Sequence, residues 1–121
     1  MTVIAVVVAA LAALLTIAST DLAAVFAARQ RALIAAEAAA VAAADAASWL
    51  SDEDPTTQAA SLAEANHATL LSCTCDEGSS SVLVEVETEP ATRFVLAWLG
   101  VRVRVATEAV VDPWVESWAP P

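Results

Sequence analysis

The sequence predicts an α+β fold in which one long N-terminal helix is followed by a short helix and a small antiparallel sheet of about three strands. Three observations predict it. The chain contains no glycine or proline before Pro55, and alanine, the best helix former, dominates that half. An acidic residue followed by Pro55 marks a second helix start. Further along the chain, valine alternates with polar residues, as in half-buried strands.

The first twenty residues, MTVIAVVVAALAALLTIAST, carry no charged side chain. A helix of ~20 residues spans the ~30 Å hydrocarbon layer of a bilayer. A secretory signal peptide has a charged start and an apolar core of only ~7–15 residues. This apolar run is longer and begins at residue one. We therefore predict that residues 1–20 are the uncleaved transmembrane part of the helix. The alternative is a buried core helix, for which a chain of 121 residues offers little covering protein.

Residues 21–50 are predicted to continue the same helix outside the membrane, giving ~70 Å in total at the usual rise per residue. Helical spacing places large apolar residues on or beside the polar side of this part and alanines on the other side. The large apolar residues are Phe26, Leu33, Ile34 and Val41. Small residues let a second helix approach closely, so the alanines predict a helix-packing face. That face would pack against a partner subunit or against another part of this chain. The alternative is that the alanines only favour helix formation and have no packing role. We call this face the alanine stripe, and it comprises Ala28, Ala32, Ala35, Ala39, Ala43 and Ala46.

Residues 51–108 are predicted to hold the short helix and the sheet. Asp54 is the expected N-cap, with Pro55 at the first helical position, and the helix should end near Ala65. Its small apolar residues recur at helical spacing, so it is expected to pack on the long helix, with the alanine stripe as the expected surface. Asn66 is the expected left-handed residue that closes this helix.

Three strands are expected after the short helix. Residues 68–75 and Ser81–Thr88 form a predicted hairpin, and Val101–Thr107 forms the third strand. Residues 91–99 fit either a short helix or a strand, and Gly100 ends that segment.

The third strand carries Arg102 and Arg104 on the face away from its valines. We expect them across from Glu85 and Glu87, where cross-strand ion pairs contribute roughly 0.2–1 kcal/mol each. Residues 109–121 are predicted to form an irregular tail.

Composition limits the function. The net charge is −10 and all five basic residues are arginine, which argues against nucleic acid and against an anionic membrane surface as a partner of the polar part. His67 is the single histidine, and no nucleophile with a general base and no glycine-rich phosphate loop is evident. A metal site combining His67, Cys73, Cys75 and Asp76 would need a fold-back that a strand does not supply. We predict no enzyme activity, no cofactor and no small-molecule substrate.

Cys73 and Cys75 are candidates for a thiol cross-link. On one strand their Cα atoms would lie ~6.5–7 Å apart, at or beyond the usual limit for a disulfide. If the domain lies outside the cytoplasm, a disulfide to another molecule is therefore an alternative to a bond between the two cysteines.

Several segments follow one another in an order that resembles a known family. They are Ala27–Ala32 (AARQRA), the alanine-rich Ala35–Ala47, Ala63–Cys73 (AEANHATLLSC) with a valine-alternating strand after it, and Val101–Ala106 (VRVRVA). The order is similar to that of the TadE/TadG-like pilus-assembly proteins, in particular the small actinobacterial TadE-like form. The resemblance implies a pilin-like fold and a pseudopilin-like subunit in the inner membrane. Such a subunit assists assembly of a Flp-type (tight adherence) type IV pilus or a related secretion apparatus. Its implied partners are the lipid bilayer and, through helix packing, other membrane subunits of that apparatus.

The chain departs from that family in its first residues. Pilin precursors usually carry a charged leader and a glutamate early in the mature helix, and residues 1–20 contain neither. Arg29 and Arg31 follow the apolar run, so the positive-inside rule places the C-terminal domain in the cytoplasm. The resemblance implies the opposite orientation, and an upstream charged leader would reconcile the two.

A second hypothesis is a single-pass membrane protein whose acidic extramembrane module binds a soluble partner. It rests on the acidic balance and on Trp114 and Trp118 near the C-terminus.

Overall fold

The computed structural model describes residues 1–48, 51–76, 79–91 and 94–111. Its element order confirms the predicted α+β arrangement of a long helix, a short helix and a three-stranded antiparallel sheet. The elements are α1 (Thr2–Ala47), α2 (Pro55–Ala65), β1 (Thr69–Thr74), β2 (Ser81–Thr88), α3 (Leu96–Leu99) and β3 (Val103–Val110).

Helix α1 runs without interruption for 46 residues, ~70 Å at the usual rise per residue. No residue before Asp21 is buried, whereas one side of the helix is buried from Asp21 onward. The chain therefore consists of a free N-terminal rod and a folded head, formed by the second part of α1 and all later elements. The helix was predicted to reach residue 50, but it ends at Ala47 because Ser48 has an extended backbone, with ψ 145°. Residues 49 and 50 lie outside the described part.

The head has two layers. The second part of α1 and α2 form one layer, and the sheet, with strand order β1-β2-β3, packs against it. The central strand contributes its valines to the core, where Val82, Val84 and Val86 are fully buried. This alternation was predicted from the sequence and is confirmed. The remaining core is mainly alanine, which buries little area per residue, so its stability depends on close approach of the backbones.

Helix α2 begins as predicted. The Asp54 carboxylate accepts a hydrogen bond from the backbone N–H of Thr57 at 2.8 Å and another from its hydroxyl at 2.6 Å. Pro55 occupies the first helical position, where a missing N–H costs nothing. The Thr57 hydroxyl first, and then its backbone N–H, hold the pKa of Asp54 below its usual range. The N-cap Asp54 and the adjacent Pro55 are neighbours in the sequence, and for that reason this helix start was predictable.

The end of α2 corrects one prediction. The left-handed residue is His67, with φ 58°, whereas Asn66 has φ −99°. The N–H of His67 donates to the Glu64 carbonyl and that of Ala68 to the Ala63 carbonyl, both at 2.9 Å. This pair of bonds closes many helices and requires the left-handed conformation one position after the C-cap. Asn66 occupies the C-cap itself and donates through its side-chain Nδ2 to the Leu62 carbonyl at 2.8 Å.

The strands differ from prediction at their ends. β1 covers Thr69–Thr74 rather than residues 68–75, and its register shifts between Leu70 and Ser72. β3 covers Val103–Val110 rather than residues 101–107, so Arg102 precedes the strand. Its later end follows from β2, whose first residue, Ser81, pairs with Val110. Residues 109 and 110 of the predicted irregular tail therefore belong to β3, and the backbone N–H of Val111 donates to the Ser80 carbonyl at 3.0 Å. The remainder of that tail, 112–121 with Trp114 and Trp118, lies outside the described residues.

Candidate membrane anchor and helix surfaces

The N-terminal rod is uncharged and exposed along its length. Within the described part of the chain, α1 is the helix that is long and apolar enough to cross a membrane, and its most apolar 18-residue window is 0% buried. The same length and composition also fit a signal sequence. Large apolar side chains project from every side of the rod, among them Val3, Ile4, Val7, Leu11, Leu14 and Leu15.

The three hydroxyl side chains near the end of the rod are satisfied within the helix. The hydroxyls of Thr16, Ser19 and Thr20 donate to the carbonyls four residues earlier, at 2.8, 2.7 and 2.8 Å. In hydrocarbon an unsatisfied polar group would cost several kcal/mol, on the order of a full desolvation penalty. These hydroxyls are therefore compatible with burial in a bilayer.

The alanine stripe is buried inside the head. Ala28, Ala32, Ala35, Ala39 and Ala43 are fully buried, and Ala46 is nearly so. The stripe faces α2 and the sheet, and Ala32, Ala35, Ala39 and Ala43 share one core with Ala59 and Ala63 of α2 and with the three β2 valines. Of the two packing partners that the sequence left open, the structure shows the chain itself. Because the chain's own elements already cover this surface, the stripe offers no exposed face to another subunit in this conformation.

The opposite side of α1 carries large apolar side chains that remain exposed in the described part of the chain. We call this surface the α1 ridge. Helical spacing aligns its members along the head portion of the helix, where a soluble face would normally be polar. The sequence placed most of them on this side, and the packing face that the alanine pattern predicted lies on the opposite, buried side of the helix. The ridge comprises Leu22, Phe26, Leu33, Ile34 and Val41, with exposed fractions of 59, 59, 39, 56 and 56%.

Asp21, directly after the rod, is hydrogen-bonded to the segment that leads into α3. It is the first charged residue of the chain, and its carboxylate accepts hydrogen bonds from the backbone N–H groups of Phe94 at 3.0 Å and Val95 at 2.9 Å. Its exposed fraction is only 7%. The Phe94 hydrogen bond, with a smaller contribution from Val95, outweighs desolvation and lowers the pKa of Asp21. The carboxylate therefore stays charged at neutral pH and fixes the segment that leads into α3.

Sequence reasoning missed the Asp21 contact. The available signal was an acidic residue directly after an uncharged run, but its partner lies 73 residues away along the chain. Residues 91–99, which fitted either a helix or a strand, contain the short helix α3.

Glu87 lies between two arginines on the outer face of the sheet. Arg102 donates through a terminal guanidinium nitrogen at 2.8 Å and Arg104 through Nε at 2.9 Å. The pKa of Glu87 is lowered, chiefly by the hydrogen bond from Arg102 and further by that from Arg104. The predicted pairing is thus right for Glu87 but wrong for Glu85, which lies opposite Ala106. Arg102 instead reaches past the strand end to Glu89, at 3.5 Å.

Cys73 and Cys75 are bonded to each other, with Cα atoms 5.4 Å apart. The predicted separation of ~6.5–7 Å assumed that both residues lie on one extended strand. β1 ends at Thr74, and Cys75 lies beyond it, so the two Cα atoms come closer. With both thiols used in this bond, neither cysteine is free for a cross-link to another molecule.

The described residues bring together no group of three or more histidine, cysteine, aspartate or glutamate side chains that could hold a metal ion. His67 is exposed at the end of α2. The chain matches no protein-family model, no curated protein sequence and no solved structure.

Proposed function

We propose that this chain is a membrane-anchored, pseudopilin-like structural subunit. It assists assembly of a Flp-type (tight adherence) type IV pilus or a related secretion system. Residues 1–20 cross the inner membrane once, and the C-terminal head lies outside the cytoplasm. The assignment to pilus assembly rests on the resemblance of the sequence motifs to TadE/TadG-like proteins.

One observation carries the structural side of the proposal: the division of α1 into two parts. A single helix is free and apolar over its first twenty residues, and then provides the backbone of the head without a break. A bilayer would cover the first part, since exposed apolar surface of this extent is rare on soluble monomers. The second part is covered on one side by its own chain.

The α1 ridge supplies the assembly surface of the proposed subunit. It is continuous with the membrane segment, so neighbouring subunits or partner helices held in the same membrane would meet it side by side. Large apolar side chains on a helix pack into the grooves of a second helix. The proposed assembly contact is therefore the ridge and no longer the alanine stripe.

Photo-cross-linking in the native host tests this assignment. A photoreactive residue at Phe26 or Ile34 should yield adducts with other membrane subunits of the pilus or secretion apparatus, or with further copies of this chain. The same residue at Ser61, on the exposed side of α2, serves as the matched control and should yield none. Adducts from Ser61 alone, or recovery of a soluble cytosolic monomer, would contradict the proposal.

Orientation is tested separately by reporter fusions at the C-terminus. If the head lies outside the cytoplasm, an alkaline phosphatase fused to the C-terminus should be active. A fluorescent protein fused at the same place and exported through the general secretory route should be dark. The reverse result places the head in the cytoplasm, as the positive-inside rule predicts from Arg29 and Arg31, and contradicts the pilin-like arrangement.

An acidic binding module is the second candidate, favoured by the surface charge of the head. Arg102 and Arg104 are both engaged with Glu87, so much of the remaining charged surface is acidic. Such a surface attracts a cationic soluble partner, and that attraction weakens with salt. Capture that is lost at high salt and after deletion of residues 113–121 would favour this function over assembly. The exposed carboxylates include Glu37, Asp45, Asp52, Glu53, Glu64, Asp76 and Glu108.

A further inference from the structure

The segment around α3 exposes a compact set of large apolar side chains. Phe94 and Val95 are 58 and 56% exposed, and Trp98 and Leu99 are 94 and 69% exposed. No charged residue occurs between Phe94 and Val101. We call these four residues the α3 cluster. Contiguous exposed apolar surface, especially with a tryptophan at its centre, marks a contact site with a partner or a membrane.

The position of the α3 cluster follows from Asp21. Because the Asp21 carboxylate holds the N–H groups of Phe94 and Val95, the cluster lies beside the helix position where the uncharged rod ends. Sheet register agrees with this placement. Thr88 pairs with Val103, so the connection carrying α3 leaves one end of the sheet, whereas Ser81 pairs with Val110 at the other end. The cluster therefore lies at the end of the head nearest the rod.

We infer that the α3 cluster is a second membrane contact, which inserts into the interfacial layer of the bilayer crossed by residues 1–20. The inference rests on the proposed membrane anchor. If the rod spans the hydrocarbon layer, residue 21 lies at its boundary, and the cluster hydrogen-bonded to it lies at the same depth.

The chemistry of the cluster fits that layer. Tryptophan prefers the headgroup region, because its apolar ring leaves water there while its indole N–H remains hydrated. Valine, leucine and phenylalanine supply apolar area just below. Gly100, with φ 59°, ends α3 in the left-handed conformation and lets the chain turn back to β3. The head is then held at two points, by the rod and by α3, which limits its tilt relative to the membrane.

Quenching of tryptophan fluorescence by brominated lipids tests this inference on the full chain in phosphatidylcholine vesicles. In one variant, Trp49, Trp114 and Trp118 are replaced by phenylalanine, which leaves Trp98 as the only emitter. Lipids brominated near the headgroup should quench Trp98 and its emission should be blue-shifted relative to tryptophan in water. The difference between the wild-type chain and Trp98→Phe gives the same information without the other replacements.

Two control positions separate this inference from the anchor itself. In a tryptophan-free background, Leu11→Trp reports on the rod and should be quenched by lipids brominated deep in the acyl chains. Val41→Trp lies on the α1 ridge, twenty residues and ~30 Å beyond Asp21, and should not be quenched.

The outcomes differ for the two claims. Quenching at Leu11→Trp without quenching at Trp98 overturns the second contact and leaves the anchor standing. A blue-shifted but unquenched Trp98 means that a second copy covers the cluster, and this also overturns the inference. Loss of quenching at both positions overturns the anchor, and the inference fails with it.

Discussion

The Asp21 carboxylate accepts a hydrogen bond from the backbone N–H of Phe94 at 3.0 Å, across a separation of 73 residues. This contact ties the start of the head portion of α1 to the connection between β2 and β3. It places the α3 cluster beside the end of the uncharged rod. Because the carboxylate must be charged to hold two N–H groups well, this link should depend on pH.

Asp21→Asn should destabilise the head at neutral pH and flatten its acid dependence. The folded-state pKa of Asp21 is lowered, so its contribution is complete above the unfolded value of about 3.9 and is lost as pH falls through the folded value. Thermal unfolding of the detergent-solubilised chain, measured from pH 7 downward, follows this loss. Asp45→Asn, an exposed acid on the same helix, is the matched control. Equal effects of the two substitutions would argue against the link.

His67→Gly should stabilise the chain by about 1 kcal/mol, since a non-glycine residue in the left-handed conformation pays roughly that amount. Asn66→Gly should instead lower stability by about 0.5–1 kcal/mol, because it adds unfolded-state freedom and removes the hydrogen bond to Leu62. Chemical denaturation of the pair measures both signs. The opposite pattern would mean that Asn66 is the left-handed residue, as the sequence alone predicted.

Ala39→Leu should cost about 1–3 kcal/mol, because Ala39 is fully buried where α1 meets the rest of the head. Ala27→Leu on the exposed side of the same helix should change stability by no more than about 0.5 kcal/mol. Denaturation midpoints of the two variants compare them directly. Equal stability of the two variants would mean that the alanine stripe does not pack within the chain. The stripe would then be a candidate contact with another subunit.

Glu87→Gln should weaken the sheet, since it removes the charge that Arg102 and Arg104 share. The lowered pKa of Glu87 means that its contribution is present above the unfolded value of about 4.3 and disappears as pH falls through the folded value. Glu85→Gln, one pleat away and opposite Ala106, is the control. Hydrogen exchange at the N–H groups of β3 reports on both, and faster exchange is expected for Glu87→Gln only.

The elements that could be predicted from the sequence are those specified by neighbouring residues. The limits of α2 follow from Asp54 and Pro55 at its start and from the turn after Ala65 at its end. The core face of β2 follows from valine at every second position between Val82 and Val86. In each case the physical cause lies within a few residues of its effect.

The candidate site depended on contacts that are distant in sequence, and the sequence did not reveal them. The alanine stripe indicated a close approach, but small residues do not identify what approaches. Arg102 and Arg104 could face either glutamate of β2. The register places Arg104 opposite Glu87, and Arg102, just before β3, contacts the same carboxylate. The contact between Asp21 and Phe94 was signalled only by an acidic residue after an uncharged run, which does not identify the partner 73 residues away. The location of the α3 cluster depends on that contact and was therefore hidden as well.

Residues 1–20 are proposed to anchor the folded head in a membrane without being removed. The most direct test is the intact mass of the chain recovered from carbonate-washed membranes of a bacterial host. An anchored chain should retain residues 1–20 and stay in the membrane pellet, whereas the double substitution Leu11→Arg with Leu14→Arg should move it to the supernatant. A soluble product that has lost the N-terminal run would show a cleaved signal sequence and would contradict the account.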